Sequence, residues 1–128
     1  MVYESLIIKD TLQKGRGIFT SKKIPNNTAI EIAPVIVMSQ ADRVHLDKTL
    51  LHDYIFEWGE KQDQCCMALG NIPIYNHSEQ NNCSYFMDFD AQLMMIKTLR
   101  KIEVGEELTI NYNGEKDGEK KVWFDAVK

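Results

Sequence analysis

The sequence predicts a mainly β domain, and three observations carry that prediction. The apolar residues fall into short runs rich in β-branched side chains and bounded by Gly, Asn, Asp and Ser. Cys83, Tyr85, Met87 and Phe89 alternate with polar or smaller neighbours, the period of a strand with one buried face. The chain lacks the strand–helix–strand rhythm that builds a parallel sheet. Its 128 residues suit one domain, 1–128, large enough to bury a real core.

The elements follow in chain order. Residues 5–9 read as a strand, Lys14-Gly15-Arg16-Gly17 as a turn, and residues 18–21 as the returning strand. Residues 28–38 form a strand interrupted by Pro34, which has no ladder donor and so implies an edge or a bend. Ser39-Gln40-Ala41-Asp42 has the form of a capping box that opens a short helix to about Lys48. Residues 51–58 and 64–69 are expected strands. Residues 83–89 and 93–98 make a hairpin across Asp90-Ala91-Gln92, and 107–112 is the last strand, with Leu108 and Ile110 inward. From Asn113 the tail is polar until Val122-Trp123-Phe124.

One internal echo stands out. Residues 23–32 and 101–110 both read K-I-x-x-[N/G]-x-x-[I/L]-x-I, with Asn27 and Gly105 in the slot that tolerates a positive φ. The pattern describes one turn delivering the chain into a strand, used twice. It is too short for a repeat architecture.

Charge and composition narrow the function classes. A net charge of −4 argues against a general nucleic-acid binder and suits a basic partner such as a lysine-rich peptide. Cys65, Cys66 and Cys83 form no C-x-x-C pair, so neither a zinc site nor a disulfide framework is expected, and a reducing, intracellular compartment fits best: the cytoplasm, or the nucleus of a eukaryotic cell or viral host. No signal peptide is visible at the N-terminus, and no apolar stretch approaches the ~20 residues of a membrane span.

Several motifs could carry chemistry. Gly15-Arg16-Gly17 allows a tight turn or a close backbone approach to a ligand, but it lacks the third glycine and the helix of a dinucleotide fingerprint. Asn76-His77-Ser78 sets an amide, an imidazole and a hydroxyl side by side. Alone it reads as a polar loop bonding its own backbone, and without a G-x-S-x-G elbow it does not read as a hydrolase site. His45, His52 and His77 are scattered, with no i, i+4 pair to hold a metal. Residues 53–58, Asp-Tyr-Ile-Phe-Glu-Trp, read as an aromatic strand supplying core area.

Order and spacing change that weighing. Residues 15–19 as G-x-G-[IV]-F, 76–82 as N-H-S-x-x-[PN]-N and 102–112 as I-x-x-G-E-E-L-T-[IF]-x-Y together resemble the SET-domain protein-lysine methyltransferases, over almost the whole stretch from Gly15 to Tyr112. The resemblance implies a β-clip-like fold of small curved sheets with one or two short helices, in which the last strand crosses the N-H-S loop in a knot-like way. It implies S-adenosylmethionine as methyl donor, used without a metal. The Gly15, Arg16 and Gly17 backbone, Asn76, His77 and Tyr54 would meet the donor. Tyr112 would be the catalytic tyrosine, with Tyr54 beside it, and Ile110, Tyr112 and Phe124 would line the substrate channel. The partner would be a histone-like or other basic protein with an accessible lysine, with neither nucleic acid nor membrane bound directly.

The chain also departs from that family's pattern. Glu79 stands where a zinc-tail cysteine often follows N-H-S, and no Cys-rich tail follows, so residues 113–128 would replace the post-SET region, with Trp123 either covering the donor or anchoring the tail. Ile32-Ala33-Pro34 replaces a Tyr-x-Gly, which removes one pocket tyrosine. Asn81 replaces a proline, and aliphatic Ile110 leaves the number of methyl groups open. The compact form resembles bacterial and viral members. Two rivals follow: a non-catalytic SET module that binds a lysine-bearing peptide, and a β domain with no ligand. A homodimer, paired through the Met-rich hairpin of residues 85–95, is a further expectation.

Overall fold

The computed structural model describes residues 1–113. Its strands sort into two sheets. β1 (Leu6–Asp10), β2 (Arg16–Thr20), β9 (Glu107–Ile110) and β6 (Asn76–His77) form the first, in the order β1-β2-β9-β6. β4 (Phe56–Trp58), β5 (Gln64–Ala68), β3 (Ala29–Met38), β8 (Leu93–Thr98) and β7 (Cys83–Asp88) form the second, in the order β4-β5-β3-β8-β7. All neighbours run antiparallel except β6 and β9, which pair in parallel through Asn76 with Thr109 and His77 with Ile110.

Of the edge or bend expected at Pro34, the edge is not found, because β3 lies between β5 and β8 in the sheet order. The strand instead changes partners there. Residues 29–34 pair with β8 and residues 35–38 pair with β5, so the missing N–H of Pro34 falls where one ladder hands over to the other. The capping box forms as expected: the Ser39 hydroxyl accepts from the Asp42 N–H, and the Asp42 carboxylate accepts from the Ser39 N–H. The helix α1 is Gln40–Leu46, with no buried residue. The strand expected over 51–58 is mostly something else. A 3-10 turn, Leu50–Asp53, capped by the Thr49 hydroxyl, takes its first half, and only Phe56–Trp58 is strand. The Thr49 cap and the Asp53 that follows favour a tight turn over the extended form that the aromatic residues suggested. The last strand likewise ends at Ile110, two residues short of Tyr112.

The echoed turns are paired with each other. Ile24 and Ile102, both fully buried, exchange backbone hydrogen bonds of 3.0 and 2.8 Å. Asn27 (φ 57°) donates its N–H to the Thr98 carbonyl, and Gly105 (φ 85°) donates its N–H to the Thr20 carbonyl. Thr98 and Thr20 each precede their own Lys-Ile by the same spacing, so each copy of the turn is closed by the other copy's strand. The sequence echo is thus a local two-fold relation in space, and it fixes β2 and β8 relative to each other.

The core lies between the sheets and is built from Ile18, Ile30, Met87, Met94, Ile96 and Leu108, among others. Trp58 stacks edge-on against Phe89 with ring centroids 5.0 Å apart. The β7–β8 hairpin puts Tyr85, Met87 and Met94 inside this core, and Met95, on the other face of β8, is buried as well.

Candidate active site

The loops at one end of the two sheets enclose a cleft of about 810 Å³. Its walls come from four separate stretches: Lys14, Gly15 and Arg16; Tyr54, Ile55 and Phe56; Pro73, Ile74 and Asn76; and Tyr112 with Asn113. Arg43, His52, Asp53 and Glu57 stand around these walls. Residues more than ninety positions apart in the chain therefore share one concavity.

The floor is a hydrogen-bonded junction of β2, β6 and β9. The Asn76 Nδ2 amide donates to the Arg16 carbonyl at 3.0 Å and to Glu107 Oε2 at 2.7 Å. Among the described residues its Oδ1 accepts no hydrogen bond. Gly17 leaves room for this junction as it stands: a Cβ there would come within 2.5 Å of Glu107 Oε2 and 2.9 Å of Asn76 Nδ2, so those side chains would have to shift. Gly15 has a different task, a φ of 73° at the end of the β1–β2 turn. The two glycines of G-x-G thus serve one turn and one close approach.

Segment 76–82 holds β9 in place. The Ser78 N–H donates to the Ile110 carbonyl at 3.0 Å. Buried Asn82 uses its side chain as a peptide would: Nδ2 donates to the Glu107 carbonyl and Oδ1 accepts from the Thr109 N–H, each at 2.9 Å. This grip on β9 lies where the strand crossing is expected.

Tyr112 is the most constrained group in the cleft. Its hydroxyl donates to the Tyr75 carbonyl at 2.5 Å, and its backbone N–H donates to His77 Nδ1 at 3.0 Å. Its ring meets Phe56 edge-on and lies tilted over His77. Burial first, then the charges of Tyr54, Glu107 and Asp53, push the phenol above its ordinary range, so it keeps its proton at neutral pH. With that proton committed to Tyr75, the hydroxyl oxygen offers lone pairs and acts as an acceptor.

The cleft collects Gly15, Arg16, Tyr54, Asn76 and Tyr112 as the sequence suggests, but three expected residues stand elsewhere. His77 is outside the lining, its Nδ1 already taken by the Tyr112 backbone. Gly17 lies beneath the floor. Ile110, expected along a substrate channel, is fully buried, because the strand alternation that turns Leu108 into the core turns Ile110 there as well. Trp123 and Phe124 lie outside the described residues. No group of His, Cys, Asp and Glu among the described residues is arranged to hold a metal ion.

Sequence reasoning gave no role to four residues that matter here: Glu107, Asn82, Tyr75 and Glu31. Fully buried Glu31 accepts from the Tyr75 hydroxyl at 3.1 Å and from the Asn71 N–H at 2.6 Å, and burial raises its carboxyl above the usual range. It therefore braces the loop that presents the Tyr75 carbonyl to Tyr112. The available signal was an acid placed inside the apolar run Ala29-Ile30-Glu31-Ile32-Ala33.

Curled small sheets, a parallel two-residue strand at Asn-His and a tyrosine held beside it define the class. The SET domain profile matches residues 15–113, and the chain belongs to the SET-domain family. It is 32% identical over 126 residues, 98% of this chain and 80% of the relative, to the histone-lysine N-methyltransferase of Schizosaccharomyces pombe specific for H3 lysine-37. In fold it is similar to a crystal structure of a candidate histone methyltransferase from Plasmodium falciparum, with a TM-score of 0.66 and 22% identity over 88% of this chain and 96% of that one.

Proposed function

We propose that the cleft transfers a methyl group from S-adenosylmethionine to a lysine side chain of a protein, with a histone as the first substrate to try. One observation carries the reading. Asn76, whose Oδ1 accepts no hydrogen bond among the described residues, the Gly15–Arg16 turn and Tyr112 line a single cleft, in a chain related over nearly its whole length to a histone-lysine N-methyltransferase.

The residues present fit such a donor. Asn76 offers an acceptor for an ammonium, the β1–β2 turn offers backbone at close range, and Tyr54 and Phe56 offer apolar faces. The donor supplies a methyl carbon on a positive sulfur. An uncharged amine attacks that carbon in line, and the carbon–sulfur bond breaks with its electron pair left on sulfur. The lysine must first lose a proton, since a free one titrates near ~10.4, and that proton passes to solvent. A desolvated channel beside a positive charge favours the neutral amine. Tyr112 contributes orientation: its acceptor oxygen takes an amine N–H and so aims the nitrogen lone pair. Alignment of this kind is worth up to ~7–11 kcal/mol.

The test has two parts. Calorimetry with S-adenosylhomocysteine, the demethylated product, should show binding, and labelled donor with histones should show transfer by mass spectrometry. Tyr112→Phe should lower turnover at least tenfold with product affinity nearly unchanged. Binding without transfer to any lysine substrate would favour a peptide-binding module, and no binding at all would end the reading.

A further inference from the structure

We propose that Glu107 is a positioning residue that fixes which way the Asn76 amide faces and so makes the cleft selective for ligands carrying an ammonium group. The inference rests on the reading of the cleft as a donor site and goes beyond it, since it assigns the selectivity to a side chain underneath the cleft that lines none of its wall.

An asparagine amide has a donor end and an acceptor end of nearly equal size, and it can present either to a ligand. Here both N–H groups have fixed acceptors behind the wall: the Arg16 carbonyl at 3.0 Å and Glu107 Oε2 at 2.7 Å. Flipping the amide would set its oxygen against that carbonyl and that carboxylate. Four acceptor lone pairs would then face one another with no proton between them, a costly arrangement in a part-buried junction. The acceptor end is therefore locked toward the cleft. It is available to a ligand N–H, and best to a charged one.

The surroundings keep Glu107 in this role. Its side chain is 19% exposed, and its cation partner among the described residues, Lys14, sits 3.9 Å from the other carboxylate oxygen and is half solvated, too loosely held to draw the carboxylate away. The missing side chain at Gly17 leaves the space that carboxylate and amide share. Asn82 anchors the Glu107 backbone from the other side through its carbonyl.

The experiment compares two probes, S-adenosylhomocysteine and its deaminated analogue, which lacks only the α-amino group. Calorimetry gives both dissociation constants for the wild type, Glu107→Gln and Glu107→Met. In the wild type the amino compound should bind about tenfold to hundredfold more tightly, the range of one hydrogen bond to a charged group. Glu107→Gln can still accept from Asn76 and should keep that ratio within about threefold. Glu107→Met cannot, and its ratio should fall toward one. A ratio unchanged in Glu107→Met overturns the proposal, as does an equal weakening of both ligands, the mark of a merely structural residue. Should Glu107→Met not fold, hydrogen exchange of the wild-type Asn76 side-chain amide decides: both protons should be protected, and rapid exchange of both refutes the lock. A wild type that binds neither compound brings down the donor reading, and this proposal with it. A wild type that binds both equally overturns this proposal alone.

Discussion

Replacing Asn82 by alanine should be among the most damaging single changes outside the apolar core. Asn82 is 4% exposed, and its amide makes two bonds to the backbone of β9: to the Thr109 N–H and to the Glu107 carbonyl. Alanine removes both partners at once. The Thr109 N–H lies in a buried bond and cannot turn to bulk water, while the Glu107 carbonyl is part-buried. The orphaned Thr109 N–H costs about 1–3 kcal/mol and the part-buried Glu107 carbonyl adds less, which gives about 2–4 kcal/mol for the pair. Domains of this size are stable by ~5–15 kcal/mol, so the variant should survive at low temperature but with a large loss. Urea denaturation of the two proteins, followed by circular dichroism, measures the difference. Asn82→Asp should fall between them, because a carboxylate can still accept from Thr109 but can only repel the Glu107 carbonyl. A loss for Asn82→Ala below about 1 kcal/mol would refute the argument. It would mean that the side chain does not substitute for a ladder partner, and that β9 is held by β2 and β6 alone.

Other outcomes follow from the same geometry. Gly17→Ala forces a methyl group to within 2.5 Å of the Glu107 carboxylate, so Asn76 and Glu107 must separate; product affinity by calorimetry should drop at least tenfold, with a melting-point loss equivalent to about 1–3 kcal/mol. Gly15→Ala meets no neighbouring atom but must hold a positive φ, so its cost should appear in stability more than in binding. Glu31 has a pKa raised by burial, so the folded state holds its proton more firmly than the unfolded chain does. Its contribution to stability is therefore complete below the ordinary carboxyl range and is lost as pH rises through the raised folded value. Glu31→Gln should flatten the stability–pH profile across that window, and a profile identical to the wild type would sink the assignment.

Much of the scaffold was legible in local sequence because its signals are local. The capping box at Ser39 and Asp42, the β7–β8 hairpin and the positive φ at Asn27 and Gly105 depend on neighbours a few residues away. The start of the expected strand 51–58 misled because an apolar Leu51 just before the aromatic run suits a strand and an exposed 3-10 turn alike. Pro34 did mark an interruption of the strand, but not an edge: a proline excluded from a continuous ladder is allowed where a strand passes from one partner to the next, and no sequence pattern announces that exchange.

The sequence by itself determined the family, the strand inventory and the presence of Tyr54, Asn76 and Tyr112 as the polar and aromatic groups of interest, because motif order survives in one dimension. Only the tertiary structure decided what each of them does. The parallel pairing of β6 with β9 brings Asn76 against Glu107, takes His77 away to hold the Tyr112 backbone, and buries Ile110. Those assignments come from which hydrogen bonds are already satisfied once distant strands meet, and a side chain's free valence exists only after its neighbours have claimed the rest.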